Sequence, residues 1–170
     1  MGLSSGTLAT GLEALTPTDS VATAADRIAT AFTDYMAQSS VLGVPAVPAV
    51  LSGAPKSAMV GAMGSLNSVG GAAGAIAAGV IAFWAAMLGT EATIWIMVPP
   101  TIIVPSTLIV PPGLGGMTSA IQGAFDGNVS GGLELAAAAA TVATAIHGVN
   151  IGATVQTQVP PSPPVVTPIL

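Results

Sequence analysis

The chain has 170 residues, of which seven are acidic and two basic, giving a net charge of −5. Charged residues make up 5% against 52% apolar, far from the quarter charged that is usual in a soluble domain. Two cations cannot form the basic cluster that neutralises phosphates, so nucleic-acid binding is excluded. The absence of cysteine removes disulfide scaffolds, thiolate metal sites and cysteine nucleophiles.

Residues 1–16 read as a small-residue lead-in, with no basic residue before an apolar run as a secretory signal would have. Thr16-Pro17-Thr18-Asp19 then resembles a helix start. Val21, Ala24, Ala25, Ile28, Phe32, Tyr35 and Met36 recur at helical spacing, which predicts an amphipathic helix over 19–38. Residues 1–40 thus form an N-terminal helical region, and 41–55, with Pro45, Pro48 and Pro55, an extended linker.

Pro55-Lys56 opens a second helical stretch, since proline suits a first helical turn. Glycines near Asn67–Gly71 divide it, and 72–88 follows as a helix apolar on every side, to be buried by protein or lipid. Gly70 and Gly74 place a G-x-x-x-G at its head, a pattern that permits close pairing with another helix. From Ile94 to Pro112, β-branched residues broken by proline predict extended or edge strands. Gly113–Gly116 reads as a turn, 117–125 as a short helix, and Asp126-Gly127-Asn128 as a second turn. The segment 133–147 predicts a third long helix closed by Gly148. The whole of 56–150 is therefore an apolar helical core, and 151–170 a proline-rich C-terminal arm. The fold class expected is mainly α: a small Ala/Gly-rich helical bundle with extended Pro-rich strands and arms.

An internal echo spaces Gly11-Leu12-Glu13 from Val21-Ala22-Thr23-Ala24 as Gly132-Leu133-Glu134 is spaced from Val142-Ala143-Thr144-Ala145. In so alanine-rich a chain a chance match is the better explanation. Catalytic chemistry has little to stand on. His147 has no second histidine or cysteine to complete a metal site, and it reads as a helix-end residue. No serine lies in a nucleophile elbow, and the carboxylates are scattered singly. Glu91 reads as a cap or a local polar contact. No catalytic, cofactor or metal residues are expected, and the chain is read as non-enzymatic.

Two classes remain. One is a subunit buried among copies of itself or other chains, with charge depletion reflecting a surface that is mostly interface. The other is a small integral membrane protein, holin-like or channel-forming, in which 72–88 spans and Trp84 and Trp95 anchor at the interfaces. The first is preferred, because the proline-broken region beyond 94 cannot cross lipid exposed. Phe32, Met36, Ile76, Val80, Phe83, Trp84 and Trp95 are the interface or packing candidates.

The order of parts is an Ala-rich "SVATAADRIATAFTDYM", a "VLGVPAVPAV" linker, "GGAAGAIAAGVIAFWAAM", "IMVPPTIIVPSTLIVPPG" and a Pro-rich tail. In this the chain resembles small virion proteins of tailed bacteriophages, of the tail or baseplate type. The resemblance rests on composition and segment order and carries over no functional residue. It implies a place in a virion tail, other tail subunits as partners, homo-oligomerisation, and contact with a host membrane during injection.

Overall fold

A computed structural model of the chain describes residues 3–38, 40–41, 44–45, 53–64, 66, 69–87, 92–96, 102–109, 114–131, 134–151, 154–157 and 165–168. It is mainly helical. In chain order the helices are α1 (Ser5–Leu12), α2 (Val21–Met36), α3 (Ala54–Ala62), α4 (Val69–Met87), α5 (Met117–Gly131) and α6 (Leu135–Asn150). The strands are β1 (Ser40–Val41), β2 (Val44–Pro45), β3 (Ala92–Ile96), β4 (Ile102–Ile109), β5 (Thr154–Thr157) and β6 (Val165–Pro168).

Each helix packs on the next in sequence, and α6 packs back on α1, so the six form a closed ring. Its centre holds Phe32, Tyr35, Met36, Met59, Met63, Val80, Phe83, Trp84, Met117 and Ile121, none more than 1% exposed. Methionine suits this centre, because an unbranched thioether fills the irregular gaps left between alanines and glycines. Among the residues whose exposure is described, the large apolar side chains left exposed are Val21, Ile81, Leu135 and Ile151.

Local chemistry sets the helix ends. Ser20 caps α2, its Oγ accepting from the Thr23 backbone N–H at 3.2 Å. Proline in the first turn begins α3. The last turn of α6 runs through Gly148 to Asn150, contrary to the expected stop at the glycine. Asn150 is fully buried and its amide donates to the Ile146 carbonyl at 2.8 Å, so tertiary burial overrides the glycine signal.

Two further expectations are corrected. The lead-in 1–16 contains α1, whose Leu8, Ala9 and Leu12 are buried against the ring. A Cβ on Gly11 would lie 2.4 Å from the Cβ of Ala31, so only glycine permits this crossing of α1 and α2. The Asp126-Gly127-Asn128 turn is instead part of α5: the Gln122 amide donates to Asp126 at 2.8 Å, and the Asn128 amide donates to the Ala138 carbonyl of α6 at 3.2 Å. The G-x-x-x-G pattern does not mark a close approach at Gly74, where an added Cβ would meet nothing within 4 Å. The tight position on α4 is Gly79, whose Cβ would lie 2.8 Å from the Cγ of Met63.

The two members of the internal echo also occupy different places. Gly11-Leu12-Glu13 closes α1 ahead of α2, whereas Glu134 caps α6 and Val142 lies in the middle of that helix. They are not a structural repeat.

Strands β3, β4, β5 and β6 form one antiparallel sheet in that order, with Ile94 opposite Val104, Thr107 opposite Gln156 and Val155 opposite Thr167. Of the stretch expected as extended or edge strands, β3 lies at the sheet's edge and proline-containing β4 lies inside it, while the expected C-terminal arm over 151–170 contributes the paired strands β5 and β6. The reason is backbone hydrogen bonding, which proline at positions 105 and 168 leaves possible where its missing N–H is not required. The proline run at 158–164, Glu91, and most of the 41–55 linker lie outside the described residues. β1 and β2 form a separate two-stranded pair. Among the described residues no helix is long and apolar enough to cross a membrane.

Candidate functional site

The polar chemistry of the ring interior gathers where α2, α4 and α6 end. Each pair of these helices is joined by one specific contact. Phe32 of α2 meets Phe83 of α4 edge-on, with ring centroids 4.9 Å apart. Tyr35 of α2 places its hydroxyl 2.9 Å from Nδ1 of His147 on α6, the two rings nearly perpendicular. Trp84 of α4 donates its indole N–H to the Asn150 side-chain oxygen on α6 at 2.7 Å. All six residues lie in the last turns of their helices, so α2, α4 and α6 run in the same direction and form a triangle at one end of the ring.

The sequence supports this placement locally. Helical spacing puts Phe32 and Tyr35 on one stripe of α2, and His147 and Asn150 three apart on one face of α6. Trp84 and Asn150 are both fully buried, and the amide meets all its local demands: its oxygen accepts from the indole and its nitrogen donates along α6. Burial pushes the Tyr35 phenol well above its ordinary value, so it is neutral and available as a donor. A tyrosine that donates to Nδ1 places the imidazole proton on Nε2.

This arrangement binds the helices together. Among the described residues there is no group of three or more potential metal ligands. His147 therefore joins α6 to α2 through a side-chain hydrogen bond, where the sequence pointed to the end of its own helix.

Six of the seven packing candidates come together. Phe32, Met36, Ile76, Val80, Phe83 and Trp84 are all within the ring's own core, the most exposed being Ile76 at 5%. Trp95 lies apart, in β3, where its backbone pairs with Ile103. Sequence reasoning missed His147 and Asn150 as partners of Tyr35 and Trp84. The available signal was that the only histidine and a nearby asparagine lie three residues apart in an otherwise apolar helix.

The charges occupy a different surface. Asp19 accepts from the Thr16 backbone N–H at 2.9 Å, and that bond, with help from the Thr16 hydroxyl and Arg27 against a desolvation that opposes it, holds its carboxyl below the usual range. Arg27 lies 3.5 Å from Asp19 and also donates to the Ala14 carbonyl, tying α2 back to the turn that precedes it. Lys56 of α3 lies 2.9 Å from Asp26 of α2. Both basic residues of the chain are thus paired beside α2. By contrast, no residue of β3, β4, β5 or β6 is charged.

Comparison with protein-family models, curated proteins and solved structures returns no match for this chain.

Proposed function

We propose that the chain is a non-enzymatic structural subunit of a phage virion or contractile-tail particle, part of the tail or baseplate, packed among copies of itself and other subunits. The observation that carries this reading is the charge-free sheet joined to a bundle that holds its paired charges on α2 and α3. Alternation along the strands gives the sheet two faces, and neither has a charged position. An antiparallel sheet facing water on one side shows an apolar/polar alternation; one covered on both sides does not. Neighbouring chains are the cover proposed.

The state of the purified chain tests the reading. Oligomers are expected in detergent-free buffer, and mass spectrometry of the native particle should find the chain at fixed stoichiometry with other subunits. A freely soluble, cooperatively folded monomer at high concentration overturns it. Retention in the membrane pellet after carbonate extraction would instead favour the holin-like alternative.

A further inference from the structure

The chain has one tyrosine and one histidine, and the fold brings them together across 112 positions of sequence. The Tyr35 hydroxyl lies 2.9 Å from Nδ1 of His147, with ring centroids 5.9 Å apart and planes at 82°. The Phe32 ring lies 5.7 Å from the phenol ring, centroid to centroid. Tyr35 is fully buried, whereas His147 is only partly so. A hydrogen bond between helices needs a donor and an acceptor, and an amide side chain would supply either. What this pair adds is an oxidisable phenol joined to a base able to take its proton.

An electron tunnels through packed protein, but a proton travels only along hydrogen bonds. Burial opposes prior ionisation of the phenol, so the proton does not leave first. Loss of the electron alone would leave a phenol cation radical in an apolar core. Loss of both together avoids either charged form of tyrosine and places the positive charge on the less buried partner. We propose that Tyr35 and His147 form a proton-coupled redox pair that acts as a sink for oxidising equivalents. An outer-sphere one-electron oxidant takes one electron from the phenol, the O–H bond breaks, and its proton forms an N–H bond at Nδ1 of His147. The products are a neutral tyrosyl radical and an imidazolium. A one-electron reductant of the ascorbate class restores the pair: the electron returns to the tyrosyl group and the proton crosses back from Nδ1. The groups such a sink protects are Met36, Met59, Met63 and Trp84, buried in the same core. The inference does not depend on a role in a virion.

Photo-oxidation of the full chain by flash-generated ruthenium(III) tris(bipyridine), followed by transient absorption and EPR, tests it. With a single tyrosine in the chain, any tyrosyl signal belongs to Tyr35. The unsubstituted chain should give that signal, forming more slowly in heavy water than in ordinary water. His147→Gln keeps an oxygen able to accept the phenol's hydrogen bond but offers no base for the proton. With the fold retained by circular dichroism, it should slow tyrosyl formation about a hundredfold, the scale on which a positioned base acts. A tyrosyl signal forming equally fast in His147→Gln, or tryptophan radicals alone in the unsubstituted chain, overturns the proposal. Tyr35→Phe should raise tryptophan and methionine oxidation under the same flashes; no rise removes the role as a sink. Should His147→Gln fail to fold, the unsubstituted chain decides: tyrosyl formation at the same rate in heavy and ordinary water overturns the pair.

Discussion

The helical ring and the sheet meet the same requirement, satisfied backbone groups, by opposite means. In the ring most main-chain bonds are made within single helices, and side chains decide which helices meet. Specific contacts such as Trp84–Asn150 and Tyr35–His147 supply that choice. In the sheet the main chain itself makes the long-range contacts, and the strands contribute β-branched and proline residues with no charge to distinguish one face from the other. Specific side-chain contacts between elements are therefore described in the bundle, and backbone pairing in the sheet.

The largest test of that contrast is Trp84→Ala. Removing a fully buried indole leaves a cavity and deprives the Asn150 oxygen of its donor, at a cost of about 4 kcal/mol, with loss of both ring and sheet signals in denaturant unfolding. Lysine at Ile103 or Val104 probes the sheet instead. The two positions alternate along β4, and where neighbouring chains cover both faces as proposed, each substitution should cost about 3 kcal/mol in the assembled state, because an unpaired charge would be buried. A small cost at one of them, measured by the assembly's dissociation midpoint, would show that face open to water.

Gly11→Ala should cost about 1–3 kcal/mol by calorimetry, since its Cβ would meet the Ala31 backbone at 3.0 Å as well as its Cβ. The helix-propensity gain of about 1 kcal/mol does not offset that. Ala31→Gly in the same chain should recover part of the loss.

Tyr35 gives a pH signature. Its folded value is raised above its ordinary value of 10, so the folded state holds the proton more firmly. Its contribution is complete below pH 10 and declines as pH rises beyond it, and Tyr35→Phe should flatten that slope in unfolding measured between pH 9 and about 11. The smallest effect is expected from Ser20→Ala, which removes one cap bond of α2 and should cost about 1 kcal/mol by thermal unfolding, with the sheet unaltered.

Legibility in the sequence followed the same division. α2 is visible because Ile28, Phe32, Tyr35 and Met36 recur at helical spacing among charged neighbours. α4 and α6 are visible as long Ala-rich runs without charge. α1 escaped because residues 1–16, poor in large apolar side chains, read as a lead-in, although Leu8 and Leu12 lie four apart. The continuation of α5 through Asp126-Gly127-Asn128 escaped because a tertiary bond from Asn128 to α6 outweighs local turn preference. Partners such as Tyr35 and His147 are 112 residues apart, and no local rule couples positions at that separation. Strand pairing is of the same kind: composition indicates extended chain, but register comes from distant backbone.

The junction of α1 with α6 also bears on synthesis. α1 reaches α2 soon after both leave the ribosome, but its other neighbour is complete only at Asn150. At about 5–20 residues per second, the intervening stretch takes roughly 7–28 s to emerge. Throughout that interval the nascent chain must shield one flank of its first helix from premature association, a demand that a chaperone could meet.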